Sequence, residues 1–469
     1  MYLSDLFSQT NSKTEVVKLC IDSNDVIKNS VFFAIDGYTR NGNDYIQDAV
    51  IKGAVAVVTE RDINNDYGVT IIKVKDVRET MALTAAKFYN NPADKLKIVF
   101  ITGTNGKTST AFLIKSILEH AGRKVGIIGT LGARWNDKII DTGYTTPDPI
   151  VLHGILSRML DDGMEYVIIE ASAHAVYLKK LAGIRATVGI LTNITQDHLD
   201  FFKTMENYAK VKIDFINSNA CYYSVINADN IKYEFKKPSL TYGIKNPADV
   251  FALDVEEGHE SNFVINSADE IYTINTRLKG IFNVYNILAA AACAHILGIK
   301  KDDIAEGVWA LDSIDGRYNV TDTAKGKIII DFAHTPDGLD NLLKAAREFK
   351  PHKLICVFGC GGNRDALKRP VMGRIAEKLS DVLVLTSDNP RYENPQDIIS
   401  DIKRGMRGDK ACFEIVDRKA AIKYAIGLMV NDDVLVIAGK GAENYIETNG
   451  VKSEYSDKNA VYEILGADN

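Results

Sequence analysis

A short glycine-rich segment carries the residue types that bind nucleotide phosphates. It reads ITGTNGKTST over 101–110, after an apolar run and before an amphipathic one. Gly103 and Gly106 allow the backbone to curl so that its N–H groups face an anion. Lys107 supplies a positive charge for phosphate, and Thr108 offers a hydroxyl to Mg²⁺. The two glycines are closer together than in the general phosphate-binding loop. Between a strand and a helix the segment predicts nucleotide binding, and a plain strand–helix turn is the alternative.

Other polar positions could serve the same nucleotide. Glu170 ends an apolar run, where a carboxylate could bind Mg²⁺ beside the loop; a solvated acid is the alternative. Asn283 and Asn286 are three residues apart and share a helix face. Their amides could hydrogen-bond adenine, and simple polarity near a helix start is the alternative. In GCGGNRD (359–365) Arg364 replaces the third glycine of a dinucleotide fingerprint, so we predict no NAD site.

The elements that must position these residues alternate between short apolar strands and longer amphipathic helices. Strands without polar alternation are typical of parallel sheets covered on both faces, and their repetition with helices implies right-handed crossovers. The predicted central strands are KIVFIT (97–102), KVGIIGT (124–130), EYVIIE (165–170) and ATVGILTN (186–193), with helices near 107–121, 149–162, 203–217 and 283–297. In residues 249–279 apolar and polar side chains alternate instead, and this pattern predicts a small antiparallel excursion.

A second alternating series and an N-terminal unit complete the chain. The second series has predicted strands at 327–333, 353–359, 381–387 and 433–439, and helices near 336–349, 368–379, 395–406 and 417–429; the N-terminal strands are 30–35 and 54–60. We therefore predict an α/β protein of three domains. They are a small N-terminal α/β domain over 1–92, a central phosphate-loop domain over 93–314 whose parallel sheet has helices on both faces, and a Rossmann-like α/β domain over 315–469.

Composition excludes several classes of protein. The chain of 469 residues is 46% hydrophobic and 25% charged, which argues against disorder. A formal charge of −6 offers no basic excess for nucleic acid or a membrane surface. No apolar run approaches the roughly 18 residues of a membrane span. Six scattered cysteines favour buried thiols in a reducing compartment, and the first residues lack signal-peptide features. We expect a cytoplasmic monomer.

The glycine-rich string and several later motifs together resemble one enzyme family. Gly-Thr-Asn-Gly-Lys-Thr resembles the ATP loop of the Mur ligases and folylpolyglutamate synthetases. The motifs TNITQDHLD (192–200), GIFNVYNILAA (280–290), DGR (315–317), DFAHTPD (331–337) and DNPR (388–391) resemble Mur ligase motifs and follow in the family's order. On this resemblance, which covers essentially the whole chain, the protein is identified as a member of the Mur ligases. DNPR, preceded by GCGGNRD, points to the branch that adds the third amino acid of a peptide.

The resemblance implies an ATP-dependent amide ligase. Such enzymes phosphorylate a carboxylate with ATP, and an amine then attacks the acyl phosphate. Phosphoryl transfer of this kind depends mainly on cations and metal ions. The implied substrates are UDP-N-acetylmuramoyl-L-alanyl-D-glutamate and free meso-diaminopimelate, with ATP and Mg²⁺ as cofactors, in peptidoglycan synthesis. Open alternatives are L-lysine as the amino acid, a Mur-like or folylpolyglutamate-type ligase with another acceptor, and a nucleotide-dependent regulatory protein.

The resemblance also implies nucleotide and metal roles. The implied ATP-binding residues are Gly103, Thr104, Asn105, Gly106, Lys107, Thr108, Ser109, Asn283, Asn286, Arg317 and Asp331. The implied metal-binding residues are Thr108, Glu170, His198 and a carbamylated Lys212; Lys107, His198 and Lys212 are the implied catalytic residues. Lys212 is preferred to Lys210 because it lies fourteen residues after His198, the family spacing. From the residues alone, Lys212 would be a solvated helix lysine and His198 an ordinary polar side chain.

Implied substrate contacts lie in all three predicted domains. The UDP-sugar-peptide is implied to contact Ile21, Ser23, Tyr38, Thr39, Arg40, Thr145, Thr146, Ser172 and Lys180. The amino acid is implied to contact Arg364, Asp388, Asn389, Pro390, Arg391, Gly439 and Glu443. Arg391 could present a planar fork to the second carboxylate of diaminopimelate, which lysine lacks. A turn at Pro390 with a solvated Arg391 is the alternative.

Five positions depart from the family pattern. Ala173, Leu178 and Lys180 stand where the family usually has Ser, Gln and Arg, while Tyr144 replaces an Asn and Ala442 a His. They leave the ATP and metal motifs intact and bear on the sugar–peptide pocket. A paralogue with an altered acceptor is therefore a further alternative.

Overall fold

Separate sheets, each with its own helices, make up the fold. The computed structural model describes residues 1–38, 40–233, 235–256, 261–267 and 270–467. Within those residues there is a sheet of four strands, one of eleven and one of six, and a two-stranded ribbon. The prediction of an α/β protein with three such units is confirmed.

The N-terminal unit is a parallel sheet in the order β1-β2-β3-β4. Its strands are β1 (Lys18–Cys20), β2 (Ser30–Phe33), β3 (Ala54–Thr59) and β4 (Thr70–Lys73), and its helices are α1 (Leu3–Leu6), α2 (Ile46–Ile51) and α3 (Val77–Phe88). Val31 and Phe33 share a cluster with Met81 of α3, whereas Phe32 packs with Ile46 of α2. β2 is apolar from Val31 to Phe33 because both of its faces are covered.

The central unit is built on the eleven-stranded sheet. Its strands are β5 (Lys97–Thr102), β6 (Val125–Gly129), β7 (Gly132–Trp135), β8 (Lys138–Ile140), β9 (Tyr166–Glu170), β10 (Ala186–Leu191), β11 (Cys221–Asn227), β12 (Ser239–Gly243), β13 (Val250–Glu256), β14 (Ser261–Ser267) and β15 (Glu270–Thr276). The order is β15-β14-β13-β12-β11-β10-β5-β9-β6-β7-β8. The strands from β13 to β6 are parallel, and β14, β15, β7 and β8 extend both edges antiparallel. The predicted antiparallel excursion is confirmed for its described residues; 257–260 and 268–269 lie outside them.

Helices cover both faces of the central sheet. They are α4 (Lys107–His120), α5 (Pro149–Asp161), α6 (Ala173–Tyr177), α7 (Leu199–Phe202), α8 (Met205–Asn217), α9 (Ile281–Ile296) and α10 (Lys301–Trp309). Ile114 of α4 and Leu288 of α9 belong to the core on one face, and Leu156 of α5 and Ile216 of α8 to the core on the other. The prediction of one helix over 203–217 is wrong at its start, because Thr204 is the N-cap of α8, its hydroxyl accepting from the Asn207 amide at 3.2 Å.

The C-terminal unit has the sheet order β16-β17-β21-β18-β19-β20, parallel except for β16. Its elements are β16 (Asn319–Thr323), β17 (Gly326–Asp331), β18 (Leu354–Phe358), β19 (Val382–Leu385), β20 (Ala411–Glu414), β21 (Asp433–Ala438), β22 (Tyr445–Thr448), β23 (Val451–Glu454), α11 (Pro336–Arg347), α12 (Lys368–Leu379), α13 (Pro395–Lys403), α14 (Arg418–Leu428) and α15 (Asp457–Ala467). The chain leaves β17 for β18, and β21 later fills the position between them. Loops at the carboxyl ends of these strands therefore border a crevice suited to a ligand.

Several helices end slightly before their predicted ends. α11 ends at Arg347 rather than 349, and α13 ends at Lys403 rather than 406. Such differences are expected where the last turn frays. In the described part of the chain, no helix combines the length and apolarity needed to cross a membrane.

The segments between the units contain the predicted domain boundaries. The first unit's last helix ends at Phe88 and β5 begins at Lys97, with a short 3-10 helix at Pro92–Lys95 between them. α10 ends at Trp309, and β16 begins at Asn319. The boundaries at 92 and 314 stay predictions.

Candidate active site

The phosphate loop joins β5 to α4 at the carboxyl edge of the central sheet. Gly103 and Gly106 have φ values of +147° and +85°, which other residues rarely adopt. A Cβ on Gly103 would collide with the Thr192 hydroxyl, and one on Gly106 with the Asn286 amide oxygen. These glycines therefore permit both the turn and the close approach of two neighbouring elements. Ser109 is buried in the first turn of α4.

The segment after β10 supports this loop. The Thr104 amide donates to the Asn193 carbonyl, and the Asn105 amide donates to Asn193 Oδ1, both at 2.9 Å. In return, the Thr192 hydroxyl donates to the Asn105 carbonyl at 2.7 Å. Two adjacent parallel strands therefore fix the conformation of the phosphate loop.

Two lysines, the half-buried Lys107 and the buried Lys212, converge on one carbonyl oxygen of the loop. Lys107 Nζ donates to Gly103 O at 3.0 Å and to Thr104 O at 2.9 Å. Lys212 Nζ, from α8, donates to the same Gly103 oxygen at 2.6 Å, and Lys212 is 1% exposed. Burial, and then the charge of Lys107, lower the pKa of Lys212 well below its ordinary value, so the neutral amine is favoured. Lys210 instead pairs with Asp214 at 2.7 Å on the surface.

Glu170 ends β9 beside the start of α4. Its Oε2 accepts from the Thr108 hydroxyl at 3.1 Å, and the Thr130 amide and hydroxyl donate to its two oxygens at 3.1 and 3.0 Å. Arg317 of the C-terminal unit donates to the Thr108 hydroxyl at 3.0 Å. This fully buried carboxylate therefore borders the phosphate loop, with a cation from another domain nearby.

His198 lies in the segment that follows β10, at the start of a short helix. β10 ends at Leu191, and His198 is the N-cap residue of α7 with φ +56°. Its Nε2 lies 3.3 Å from Asp197 Oδ2. Burial lowers the pKa of His198 to about 3, although Asp197 opposes this, so the imidazole is neutral near pH 7. Burial would raise the pKa of Asp197, but Lys368, followed by His334 and His198, holds it well below the ordinary value.

A cavity of about 370 Å³ opens between the phosphate loop and the C-terminal unit. Lys107, Glu170, Asn286, Arg317 and Asp331 are among its lining residues. Its position beside the loop gives it room for a nucleotide.

Asn283 lines a neighbouring cavity rather than this one, so the two predicted asparagines do not face one space. Asn286 Nδ2 donates to Asn283 Oδ1 at 3.0 Å, and Asn283 Nδ2 donates to the Lys279 carbonyl at 2.8 Å. Asp331 accepts from the Tyr318 and Ala333 amides, both at 2.7 Å. Burial raises the pKa of Asp331 even though Arg317 opposes it. Both asparagines and Asp331 thus hold the shape of the cavity wall.

The C-terminal unit lies directly against the phosphate loop. Asn105 Nδ2 donates to Asp337 Oδ2 at 2.8 Å, and the Thr335 hydroxyl donates to Asn105 Oδ1 at 3.2 Å. Asp337 and Thr335 lie at the start of α11, immediately after β17. The third domain therefore completes the wall of the nucleotide cavity.

The DNPR segment follows β19 and is held from several sides. Asn389 Nδ2 donates to Glu443 Oε2 at 2.9 Å, and the fully buried Lys440 donates to Asn389 Oδ1 at 3.1 Å and to Glu443 at 3.0 Å. Pro390 is buried in the turn. A Cβ on Gly439, which has φ +118°, would lie 2.7 Å from Asp388 Oδ2. The segments after β19 and β21 thus form one surface.

Two arginines of that surface stand side by side. Arg391 Nη1 donates to the Gly362 carbonyl at 2.8 Å, and its Nε lies 3.3 Å from Glu447 Oε2, while Nη2 has no partner among the described residues. Arg364 forms no hydrogen bond or ion pair within the described part of the chain. Burial, and then the nearby charge of Arg391, lower the pKa of Arg364. The pair can therefore receive an anion.

The residues predicted to contact the acceptor peptide lie in loops around the Glu170 end of β9. The Thr146 hydroxyl donates to the Glu170 carbonyl at 2.7 Å and accepts from the Ser172 amide at 3.1 Å. The Thr145 and Thr130 hydroxyls are 3.1 Å apart. Ser172 also caps α6 by accepting from the Ala175 amide at 3.2 Å.

Two of the departures from the family pattern contact each other. Lys180 Nζ lies 4.8 Å from the centre of the Tyr144 ring and 2.8 Å from Asp148 Oδ1. The ammonium therefore rests between an aromatic face and a carboxylate. Ala173 is buried in α6, and Leu178 is half-buried at its end. Ala442 lies against Gly316, away from Lys180.

The residues predicted to hold uridine do not form one compact cluster. Ile21 is exposed, and Ser23 is buried at the start of a short 3-10 helix. Tyr38 and Arg40 are exposed and line a shallow cavity of the N-terminal unit. The Tyr38 ring lies 5.4 Å from that of Phe201 in α7, so this loop reaches the central unit. Thr39 lies outside the described residues.

Sequence reasoning missed several residues near the site, and four of them are His174, His334, Lys440 and Lys368. His174 packs edge-on against His198, with ring centres 4.7 Å apart, and His334 lies 3.7 Å from Asp197. Lys440 follows a predicted strand directly, which is a signal that could have singled it out. Lys368 begins an amphipathic helix, where a lysine ordinarily indicates a solvated face.

A phosphate loop, buried cations around it and a second α/β domain over the same cleft define a nucleotide-dependent enzyme whose site is shared between domains. The Mur ligase family, catalytic domain, matches residues 15–89, the Mur ligase middle domain matches 101–294, and the Mur ligase, glutamate ligase domain, matches 316–441. The chain belongs to the Mur ligase family.

Full-length relatives support this assignment. The chain is 42% identical over 463 residues to UDP-N-acetylmuramoyl-L-alanyl-D-glutamate--2,6-diaminopimelate ligase 1 of Clostridium acetobutylicum, covering 96% of this chain and 95% of that one. It is 40% identical to the corresponding ligase of Clostridium tetani, covering 97% and 96%. A solved ligase of the same name superposes with a TM-score of 0.69 at 29% identity, covering 100% and 99%. MurF ligase from Thermotoga maritima in complex with ADP shares the fold, with a TM-score of 0.64 at 20% identity over 96% and 97%.

Proposed function

We propose that the chain is an ATP-dependent carboxylate–amine ligase that adds meso-diaminopimelate to UDP-N-acetylmuramoyl-L-alanyl-D-glutamate in peptidoglycan synthesis. ATP phosphorylates the free carboxylate of the acceptor, and the amino group of diaminopimelate then displaces phosphate and forms the amide. The names of the clostridial relatives support this pair of substrates. The observation that carries the proposal is that the C-terminal domain, which holds the Arg364–Arg391 pair, contacts the phosphate loop directly: Asn105 donates to Asp337, and Arg317 donates to Thr108.

The chain's own cations suit phosphoryl transfer. Lys107 rests on the loop carbonyls, so a bound phosphate would offer it a stronger, charged acceptor. Arg317 reaches Thr108 from the C-terminal domain and adds a second charge. Preorganised cations of this kind stabilise the charge that develops on the transferred phosphoryl group.

The residues at the loop fit Mg²⁺. Magnesium is usually held by one or two carboxylates, substrate phosphates and water rather than by an all-protein cage. Glu170 and the Thr108 hydroxyl provide such a partial set, and His198 with a carbamylated Lys212 provides another. Among the described residues no three His, Cys, Asp or Glu side chains gather as a complete site. Bound Mg²⁺ would neutralise phosphate charge.

A carbamate on Lys212 follows from the burial of its amine. A neutral lysine amine can attack CO₂, forming an N–C bond and losing one proton. The product is an anion where the structure places two amines on one carbonyl oxygen. The carbamate would thus place an anion beside the Lys107 ammonium and attract it.

The arginine pair supports diaminopimelate as the amino acid. Diaminopimelate carries a carboxylate at its far end, whereas lysine ends in an ammonium. The free Nη2 of Arg391 and the unpartnered Arg364 can receive that carboxylate. With lysine bound, both guanidinium groups would lose water without gaining an anion, which penalises the wrong substrate.

The remaining contacts position the acceptor. Thr146 contacts Glu170 and Ser172 at the end of β9, Thr145 contacts Thr130, and Lys180 contacts the Thr146 carbonyl. These four residues suit the peptide part. Ile21, Ser23, Tyr38, Thr39 and Arg40 stay the predicted contacts of the uridine part. Asp388, Asn389, Pro390, Gly439 and Glu443 would shape the amino-acid pocket around Arg391. A cytoplasmic location and a monomeric state stay predictions.

A competition experiment tests the function. The enzyme receives ATP, Mg²⁺, the UDP-linked dipeptide and equal amounts of meso-diaminopimelate and L-lysine, and the product is weighed by mass spectrometry. We expect meso-diaminopimelate to be preferred by at least about 10² in kcat/KM, because sites built for a polar group reject analogues that lack it. Arg391→Ala is expected to remove most of the preference.

The control is Arg374→Ala, which removes an exposed arginine on α12 and should leave the preference unchanged. A product containing mainly lysine would overturn the amino-acid assignment. Turnover only with a different carboxylate acceptor would identify a Mur-like or folylpolyglutamate-type ligase. ATP binding without ligation of any acceptor would indicate a regulatory protein.

A further inference from the structure

A buried lysine links the C-terminal domain to the segment that carries His198. Lys368 is the first residue of α12. Its Nζ lies 3.2 Å from Asp197 Oδ1, and both side chains are 6% exposed. Removing either partner of such a pair leaves an uncompensated charge away from water. The contact is therefore sensitive to how the two domains meet.

The other oxygen of Asp197 faces His198. Asp197 Oδ2 lies 3.3 Å from His198 Nε2, and Oδ1 also accepts from the His198 amide at 3.0 Å. One carboxylate is thus shared between a lysine of the C-terminal domain and the imidazole of the central domain. A carboxylate that accepts from a metal-binding imidazole fixes the ring and strengthens metal binding, and Asp197 Oδ2 lies within ion-pair distance of the His198 ring.

The residue next to Lys368 contacts the amino-acid loops. Arg369 is buried and pairs with Glu393 at 2.8 Å and with Asp401 at 2.9 Å. Its Nη2 also donates to the Gly361 carbonyl at 3.2 Å, in the loop that lies against Arg391. The start of α12 therefore touches the loops proposed to bind the amino acid on one side and Asp197 on the other.

We propose that Lys368 is a positioning residue: its ammonium fixes the Asp197 carboxylate, and that carboxylate orients His198 for metal binding. The inference rests on the proposed function, because it gives Lys368 a part in the same reaction. The metal site is then complete only when the C-terminal domain is in place. The start of α12 thus organises both the amino-acid loops and the metal site.

Metal binding without turnover tests the role of Lys368. Mn²⁺ replaces Mg²⁺, and electron paramagnetic resonance counts free Mn²⁺ in the presence of a non-hydrolysable ATP analogue and the UDP-linked dipeptide. Loss of a partner of a metal-binding histidine typically weakens metal binding 10–100-fold, so we expect Lys368→Met to weaken Mn²⁺ binding by at least about tenfold. Lys378→Met, an exposed lysine on the same helix, is the matched control and should bind as the parent does.

A double variant separates positioning from general damage. If Lys368 acts through Asp197, Lys368→Met combined with Asp197→Asn should bind Mn²⁺ no more weakly than Asp197→Asn alone. Additive losses, or parental Mn²⁺ binding by Lys368→Met, would overturn the proposal. Thermal unfolding checks the fold of each variant. If Lys368→Met does not fold, Lys368→Gln replaces it, and if neither folds the lysine is only structural and the proposal is rejected.

Failure here is distinguishable from failure of the proposed function. A parent enzyme that forms no tripeptide rejects the function. A parent that ligates normally, together with unchanged Mn²⁺ binding in Lys368→Met, rejects only the positioning role.

Discussion

At the scale of single residues, Lys107 is expected to supply most of the loop's charge to the nucleotide. It lies at the first position of α4 with its ammonium on the loop carbonyls. Lys107→Ala should lower acceptor-dependent phosphate release by at least about 10²–10³, because one preorganised electrostatic donor contributes that much. Lys115→Ala, on the same helix and paired with Glu119, is the control. Phosphate release within a few-fold of the parent would contradict the role of the loop.

Lys212 permits a second test at this scale. If its carbamate anchors metal, Lys212→Ala should be almost inactive, since the site loses an anion. A small carboxylic acid in the buffer is expected to restore part of the activity by replacing that anion. Lys210→Ala removes a surface lysine two residues away and should behave like the parent. Normal phosphate release by Lys212→Ala would show that this lysine has no part in the reaction.

At the scale of elements, a buried ion pair fixes two helices behind the DNPR segment. Arg418 begins α14, Asp457 begins α15, and their side chains form two hydrogen bonds of 2.8 Å. Arg418 also donates to the carbonyls of Ser387 and Ala438, at the ends of β19 and β21. The helices therefore support the strand ends that carry the amino-acid loops.

Breaking this pair should unfold the C-terminal domain more easily. Asp457→Ala leaves a guanidinium buried without its anion, which typically costs about 3–5 kcal/mol. Thermal denaturation should show a clearly lower Tm. Glu463→Ala is a matched control, because Glu463 pairs with Lys419 between the same two helices but in solvent. Equal losses of stability in the two variants would contradict the importance of burial.

At the scale of the whole molecule, domains meet through polar contacts around one nucleotide cavity. Asn105 with Asp337, Thr108 with Arg317, and Asp197 with Lys368 all join the central and C-terminal units. Interfaces of this polar character permit relative motion of domains. We therefore expect the domains to close on their substrates and to complete the site through these contacts.

Stability of the whole chain should depend on pH through His153. This residue of α5 is fully buried, and neither ring nitrogen has a hydrogen-bond partner among the described residues. Burial lowers its pKa from 6.5 to about 4, so the folded state resists protonation that the unfolded state accepts. The contribution of the neutral His153 to the free energy of unfolding is fully present above about pH 6.5. It is lost as the pH falls towards 4, and the loss is about 3 kcal/mol at most.

Tm measured between pH 7 and pH 4.5 checks this dependence. The Tm of the parent should fall more steeply on acidification than the Tm of His153→Leu, because leucine cannot accept a proton. His120→Leu replaces an exposed histidine and should keep the parental slope. Parallel slopes for the parent and His153→Leu would show that His153 does not control the effect.

The sequence by itself determined the order of elements and the chemistry of the phosphate loop. Apolar runs without alternation predicted parallel strands because a strand covered on both faces must be apolar at every position. Gly103, Gly106 and Lys107 were recognisable because they lie close together in the chain, so their residue types and spacing form a local pattern. Family motifs then gave candidate positions for most of the remaining site.

Only the tertiary structure decided which distant groups meet and in what environment. Lys212 was indistinguishable from a surface lysine until α8 placed its amine on the Gly103 carbonyl. Lys368, 171 residues from Asp197, was not predicted at all. Asn283 and Asn286 share a helix face, yet they border different cavities. Burial and long-range contacts depend on how sheets and helices pack, so a local sequence pattern cannot reveal them. The sequence does determine which charged groups, donors and acceptors are available for the packing to bring together.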